Sequence, residues 1–278
     1  MKLIKIRKAI FSGKKFLDKN NIKSSFLDSI LIFEKVTGLK KEELLISDDN
    51  LNSKNLKKII VLLFFRSRNV PIQYLISRQE FMKLNFFVNT KVLVPRRDTE
   101  ILCEEILSFS KNKNFNVIDL CSGSGCIAIA LKKYNKKLNI TALEISKIAC
   151  EIIKKNSKIN KTNIKIINKD LFRVFNESYS RNFDLIVSNP PYIKKNEIKK
   201  LEKNIKKFEP LIALDGGHDG LKFYDYIIKN IKHSCVIFFE IGFDQADKVK
   251  KILLKNNFFD IIIKKDLAGL DRIISAKK

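Results

Sequence analysis

The chain has 278 residues, 45% of them hydrophobic, and a formal net charge of +25; it can bury the core of one large domain or two smaller ones and is too apolar to be a disordered segment. Its longest uninterrupted apolar run, residues 59–65, falls far short of the roughly 20 residues that cross a bilayer. Lysines interrupt the first apolar stretch, residues 1–16, so no signal peptide is expected and the protein reads as cytoplasmic. Five scattered cysteines without a C-x-x-C pair read as small buried hydrophobes, and with only two histidines no metal site is expected. The charge has two competing causes: a nucleic-acid or ribosomal partner, or compositional drift, since the abundant Lys, Asn, Ile and Phe share A/T-rich codons. The lysines are spread along the chain rather than gathered in one stripe, so charge alone decides nothing.

Residues 1–78 carry helical patterning. Phe26, Leu27, Ile30, Leu31 and Phe33 recur at three-to-four spacing behind Ser24 and Ser25, which are cap candidates. Residues 48–50 read as a turn, and Asn52-Ser53 precedes a helix over 54–66. With no dense acidic, histidine or cysteine cluster, this part reads as a helical binding module. Residues 79–95 change character: Phe86, Val88, Val92 and Val94 alternate around Asn89-Thr90, which predicts a two-stranded hairpin serving as a linker or hinge. Pro95 ends it, and a helix is expected from Asp98-Thr99 to about residue 108. Residues 96–278 form the second domain. Strand candidates at 116–120, 139–143, 164–167, 183–188, 235–240, 258–263 and 272–276 alternate with helical patterns such as 127–134, 147–156 and 244–256. Alternation of this kind builds a doubly wound, mostly parallel α/β sheet, whose ligands bind beyond the carboxyl ends of the strands.

Asp119-Leu-Cys121-Ser122-Gly123-Ser124-Gly125 follows the first of these strands and opens a helix. Its glycines permit a tight turn and close backbone approach, and the helix start offers free N–H groups. Taken alone, the pattern also fits a dinucleotide-binding loop. Glu144 ends the second strand, where a carboxylate can accept hydrogen bonds from ribose hydroxyls. Asp170 follows the third strand, placed to receive an adenine amino group, with Leu171 packing on the ring. Three acidic or glycine signals at successive strand ends point to a nucleoside site.

The sharpest signal is Ser188-Asn189-Pro190-Pro191-Tyr192 at the end of the fourth strand. Consecutive prolines cannot continue a central strand and hold the preceding residues extended. The loop therefore presents the Asn189 side-chain oxygen, the Pro190 carbonyl and the aromatic face of Tyr192. An amide or adenine amino nitrogen is a poor nucleophile because its lone pair is delocalised. Two acceptors can hold both of its hydrogens and aim the lone pair at an electrophilic methyl group, gripping harder as positive charge grows on nitrogen.

With these residues in view, the sequence resembles the protein glutamine-N5 methyltransferases, particularly those directed at peptide chain release factors. The resemblance runs over nearly the whole chain, through Pro71-Ile-Gln-Tyr-Leu75, Val92-Leu-Val-Pro-Arg96-Arg-Asp-Thr-Glu100, residues 119–128, residues 188–193, residues 209–221, Glu240-Ile-Gly242 and residues 266–272. It implies a class I S-adenosylmethionine-dependent methyltransferase domain with seven strands, the last antiparallel, behind a small helical domain that holds the substrate. It also implies methylation of the glutamine in a Gly-Gly-Gln loop of release factors, with S-adenosylhomocysteine as the spent cofactor. Separately from the resemblance, a monomer is expected, with no membrane contact and no direct nucleic-acid binding. The cofactor contacts that the resemblance implies fall on Cys121, Ser122, Gly123, Ser124, Gly125, Glu144, Leu171 and Asn189, beside the Asp170 read above; the catalytic residues are Asn189, Pro190 and Tyr192, with Pro191 completing the substrate loop. The chain departs from the family pattern at Cys121 and Lys83, where glycine is usual, at Arg97, where proline is common, and at Leu171, often aromatic. The same catalytic loop also fits a ribosomal-protein glutamine methyltransferase or an adenine-N6 nucleic-acid methyltransferase. The latter needs a target-recognition region that the sequence lacks. A non-enzymatic basic RNA-binding protein is the remaining alternative, and the intact Asn189–Tyr192 loop beside Gly123 and Gly125 argues against it.

Overall fold

A computed structural model describes residues 4–278. The chain divides into two units, one ending at Arg78 and taking in Glu202–Phe208, the other made of Gln79–Leu201 and Glu209–Lys278. The first unit consists of β1 (Ile4–Lys5), α1 (Ile6–Lys19), α2 (Ser25–Thr37), α3 (Lys41–Ile46), β2 (Asn50–Leu51), α4 (Ser53–Ser67) and α5 (Ile72–Ile76). Ile10, Leu17, Ile30, Ile32, Phe33, Leu44 and Ile59 are its core. Asn52 caps α4 as expected, its side-chain oxygen accepting the Asn55 N–H at 2.8 Å. Two details differ from the sequence reading. Asn50, expected in a turn, pairs with Lys5 in the short antiparallel ribbon β1–β2. Ser24 does not cap α2; its hydroxyl donates to Asp28 at 2.6 Å, and Asp28 is buried against Arg66 at 2.7 Å. That ion pair turns a polar strip of α2 inward, leaving Phe26 and Leu27 exposed while Ile30 and Phe33 are buried.

The second unit opens with a hairpin, but not where alternation placed it. Its strands are β3 (Gln79–Phe81) and β4 (Leu84–Phe86), joined by Met82 and Lys83, both left-handed with φ of 50° and 56°. Two left-handed residues make the turn whose twist matches paired strands, a position that favours Asn or Gly. Met-Lys carries no such signal, so the sequence pattern places the turn at Asn89-Thr90 instead. There the chain makes a local turn, Val92 N–H to Asn89 O at 3.2 Å, and no strands pair across it. Val88, Val92 and Val94 alternate because each is buried. In place of a partner strand, Phe87 bonds the buried Asn156 side chain: its N–H donates to Asn156 Oδ1 at 2.7 Å and its carbonyl accepts from Nδ2 at 3.1 Å. Phe81 and Phe86, meeting edge to face, pack into the core of this unit.

The rest alternates: α6 (Asp98–Phe109), β5 (Asn116–Leu120), α7 (Cys126–Tyr134), β6 (Asn139–Glu144), α8 (Lys147–Ile159), β7 (Lys165–Asn168), the short α9 (Leu171–Val174) and α10 (Glu177–Ser180), then β8 (Leu185–Ser188). After α11 (Lys203–Phe208), which groups with the first unit, come α12 (Lys222–Lys229), β9 (Val236–Glu240), α13 (Ala246–Lys255), β10 (Phe259–Lys265) and β11 (Asp271–Lys277). Seven strands join in the order β10-β11-β9-β8-β5-β6-β7. The five from β9 to β7 are parallel, and β11 is antiparallel to both β9 and β10. Ile118, Ile186, Ile237 and Phe239 point to one layer with α12 and α13; Val117, Ala142, Leu185 and Val187 point to the other with α6 and α7. Burial on both faces explains the unbroken apolar runs of the central strands, each fully buried side chain contributing about 1.5–3 kcal/mol. Among the described residues no helix is long and apolar enough to cross a membrane.

Asn156 also donates to Ser124 O at 2.9 Å, so one side chain anchors both the segment after β4 and the glycine loop. Asn156→Ala leaves those main-chain groups unpaired and is expected to destabilise the second unit by about 2–3 kcal/mol. Urea denaturation of the full chain checks this; a midpoint equal to wild type contradicts it.

Candidate active site

Strand order reverses at β5: the chain steps through β6 and β7 on one side, then returns to β8 and β9 on the other. The crevice at such a switch point is where open α/β sheets bind ligands. Here the two loops singled out in the sequence leave adjacent strands side by side. Leu120 and Ser188 are register partners, and the Ser188 hydroxyl donates to the Leu120 carbonyl at 2.6 Å. A cavity of about 1200 Å³ opens over them, lined by Cys121–Ser124, Glu144, Asp170, Leu171, Asn189 and Pro191 among others. Gly125 and Pro190, both buried, are not among its lining residues.

The glycine loop is held by its own hydrogen bonds. Ser122 N–H donates to Leu143 O at 3.2 Å, Gly123 N–H to Glu144 Oε2 at 2.8 Å, and Gly125 N–H to Ser122 O at 2.8 Å. Gly125 sits at φ +78°, where an added Cβ would fall 2.9 Å from Ile153. Cys121 is left-handed as well, φ +60°, which explains why glycine suits this position; a side chain there costs on the order of 1–2 kcal/mol. Burial raises the Cys121 thiol well above its ordinary range, so it is a neutral packing group. Below the loop, Asp119 is buried and accepts the Ser122 hydroxyl, and burial pushes its carboxyl up to about 7 against that bond.

Glu144 ends β6 with each carboxylate oxygen accepting one backbone N–H, from Gly123 and from Ser146 at 2.8 Å each. Burial raises its pKa against backbone hydrogen bonds from Ser146, Gly123 and Ile145, which leaves lone-pair capacity on the carboxylate for a ligand hydroxyl. Asp170 caps α9, accepting Phe172 N–H at 2.9 Å, with Arg173 at 3.8 Å from its other oxygen. Leu171 is buried beside it, and Phe172 and Phe223, 5.1 Å apart between ring centres, complete an apolar wall at this end of the cavity.

The Asn189–Tyr192 loop is clamped from behind. Gln245 donates to Tyr192 O at 2.9 Å, and Ile193 N–H to Leu214 O at 3.0 Å. Gly216 lies so close that an added Cβ would stand 2.7 Å from Tyr192 Cα. Asn189 donates through Nδ2 to Thr99 Oγ1 at 3.2 Å, Thr99 donates to Glu240 Oε2 at 2.6 Å, and the Tyr192 hydroxyl donates to Glu240 Oε1 at 3.4 Å. Burial pushes Glu240 up to about 7, opposed by Thr99 and by nearby Arg272. Tyr192 is half-buried: its ring packs against the core, its hydroxyl points to Glu240, and it is not among the residues lining the cavity. A buried hydroxyl needs a partner, and that partner lies behind the loop.

The chain has relatives among known proteins. Residues 8–76 match the family model of the PrmC N-terminal domain, and residues 97–208 that of the Methyltransferase small domain. A release factor glutamine methyltransferase of Clostridium botulinum is 40% identical over 98% of this chain and 99% of its own. The Clostridium acetobutylicum protein of the same name is 36% identical over 98% of each. The chain belongs to the release factor glutamine methyltransferase family. It is accordingly a methyltransferase, and its seven-stranded sheet is the fold that the family resemblance implied. The hMettl16 catalytic domain, solved with the MAT2A 3'UTR hairpin 6, shares the fold at a TM-score of 0.52 and 12% identity, covering 81% of this chain and 82% of that one.

The structure gathers Cys121–Ser124, Glu144, Asp170, Leu171 and Asn189 around one cavity. Thr99, Glu240, Phe172 and Phe223 were given no role by sequence reasoning. Thr99 and Glu240 lie inside motifs that carried the resemblance, so the signal was present without a chemical reason attached. Among the described residues no group of three or more His, Cys, Asp or Glu could hold a metal.

Asp119 has an ordinary pKa of 3.8, raised by folding to about 7. Between these values the folded state binds more protons than the unfolded one, so the contribution of this group is fully present below about pH 4 and lost as pH rises to about 7. Asp119→Asn is expected to flatten that decline in denaturant midpoints; a slope identical to wild type contradicts the assignment.

Proposed function

We propose that this protein transfers a methyl group from S-adenosylmethionine to the side-chain amide nitrogen, N5, of the glutamine in the Gly-Gly-Gln motif of peptide chain release factors, in the cytoplasm. The observation that carries the reading is the orientation of Asn189: with Nδ2 bonded to Thr99, its Oδ1 is left for the cavity. Family membership supports the same substrate class.

The residues present fit the cofactor. The glycine loop leaves no Cβ at Gly125, Glu144 keeps lone pairs for ribose hydroxyls, and Asp170 with Leu171 and Phe172 forms a half-polar, half-apolar wall for an adenine. The cavity, about 1200 Å³, is larger than most single-ligand sites and leaves room for a glutamine side chain beside the cofactor. When bound, S-adenosylmethionine supplies an electrophilic methyl group. Asn189 Oδ1 and the Pro190 carbonyl accept the two hydrogens of the glutamine amide, turning its lone pair toward that methyl. As the nitrogen becomes positive its N–H groups become stronger donors, so both acceptors bind the transition state more tightly than the ground state. The nitrogen then loses one hydrogen as a proton to solvent water, so no basic side chain is required. Pro191 stiffens the loop and forms part of the wall, while Tyr192 acts from behind through Glu240. The helical first unit, whose α4 exposes Ile60, Val61, Phe64 and Phe65, is the part assigned to engaging the release factor.

The test is mass spectrometry of purified release factor after incubation with this protein and S-adenosylmethionine. One added methyl on the glutamine of the Gly-Gly-Gln peptide is expected; no added mass with cofactor binding intact removes release factors as substrate and turns attention to ribosomal proteins. Asn189→Ala should lower turnover by roughly a hundredfold or more in a folded protein, and near-normal rates would remove its assigned role. Glu144→Ala should weaken cofactor binding roughly tenfold to a hundredfold by calorimetry, and an unchanged affinity contradicts the ribose contact.

A further inference from the structure

We infer that Thr99 and Glu240 are positioning residues that determine which end of the Asn189 amide faces the cavity. This rests on the reading of Asn189 as an acceptor for the target amide. The two ends of an asparagine amide are nearly isosteric, and only the oxygen can accept a hydrogen bond. Some neighbour must therefore distinguish them, and in this site the neighbour is Thr99. Its hydroxyl has one hydrogen, and Glu240 Oε2 takes it at 2.6 Å. The Thr99 oxygen can then offer Asn189 only lone pairs, so Asn189 must turn Nδ2 toward it, at 3.2 Å. Reversal would set oxygen against oxygen.

Glu240 enforces this polarity only as an acceptor. It is the last residue of β9, paired with Ile273 of β11, so its backbone is fixed by the sheet. Its two oxygens accept from Thr99 and Tyr192, and its carbonyl accepts the Tyr224 hydroxyl at 2.7 Å. The titratable and charged groups facing it are Asp98 and Cys103 of α6, Cys126 of α7, Tyr192, Tyr224 of α12 and Arg272 of β11. Arg272 is itself held by Asp266 at 3.0 Å and lies 3.6 Å from Asp98. Burial has pushed Glu240 up to about 7. Protonated Glu240 can donate to Thr99, which frees the Thr99 hydrogen to point at Asn189 and favours the reversed amide. The acceptor at the cavity is then weakened as pH falls through about 7.

The experiment measures methylation of intact release factor by full-length Thr99→Val, Thr99→Ser and Glu240→Gln, each with cofactor binding followed by calorimetry. Thr99→Val keeps shape and loses the hydroxyl; kcat is expected to fall roughly tenfold to a hundredfold while cofactor affinity stays near wild type. Thr99→Ser restores the hydroxyl and most of the rate. Wild type is expected to lose kcat on the acid side of about pH 7. Glu240→Gln can keep its amide oxygen toward Thr99 at every pH, so that acid limb is absent. A role limited to stability would leave kcat per cofactor-binding site and the pH profile unmoved. Wild-type kcat in Thr99→Val, or an unchanged acid limb in Glu240→Gln, overturns the inference. Asn189→Ala is assayed alongside: full turnover there removes the acceptor reading itself and the inference with it. An inactive Asn189→Ala with a fully active Thr99→Val removes only the positioning role.

Discussion

The Leu120–Ser188 register between β5 and β8, closed by a 2.6 Å hydrogen bond from the Ser188 hydroxyl to the Leu120 carbonyl, sets everything around the cavity. Those two strands are 68 residues apart in the chain, yet their carboxyl ends must lie level for the glycine loop and the Asn189–Tyr192 loop to face one space. A slip of one residue along β8 would turn its side chains to the opposite layer and carry Asn189 away from Thr99. Both faces of β5 and β8 are buried in packed apolar layers, so the register is held by the core as well as by the main chain. The two halves of the site are continuations of buried strands.

Around this junction the protein concentrates ionisable groups that a purely structural core would exclude. Asp119, Glu144 and Glu240 are buried with raised pKa values, and Glu209 is buried against Arg96. Each is tied to a loop: Asp119 to Ser122, Glu144 to Gly123 and Ser146, Glu240 to Thr99 and Tyr192. Burying a carboxylate is unfavourable unless hydrogen bonds replace its water, so their presence is intelligible as loop positioning rather than as a source of stability.

The hairpin shows where sequence patterning fails. Alternating apolar residues beside Asn-Thr imitate a strand–turn–strand, but alternation reports only that every second side chain is buried. The hydrogen-bond partner can be a strand or, as for Phe87, a single asparagine from a helix 69 residues further on. The true turn at Met82-Lys83 has the wrong residues for its left-handed geometry, and the packing of Phe81 and Phe86 into the core compensates the strain. The motif shows an aromatic ring at Tyr192 but not that its hydroxyl reaches Glu240, which only packing decides.

What the sequence determined by itself is local and chemical. The seven strands could be placed to within a few residues, the central parallel ones because buried strands read as short apolar runs between helices. The glycine loop, the strand-end acids and the Asn-Pro-Pro-Tyr segment could be chosen because their chemistry is carried by residue type and short-range geometry. The tertiary structure decided which of these meet. The reversal of strand order at β5 sets the two loops side by side. The insertion of β11 beside β9 brings Arg272 near Glu240, and the packing of α6 on that face delivers Thr99 to Asn189. None of these pairings leaves a mark at short spacing, because each joins residues tens of positions apart whose individual identities are unremarkable. Only folding gives a threonine, a glutamate and an asparagine a shared chain of hydrogen bonds.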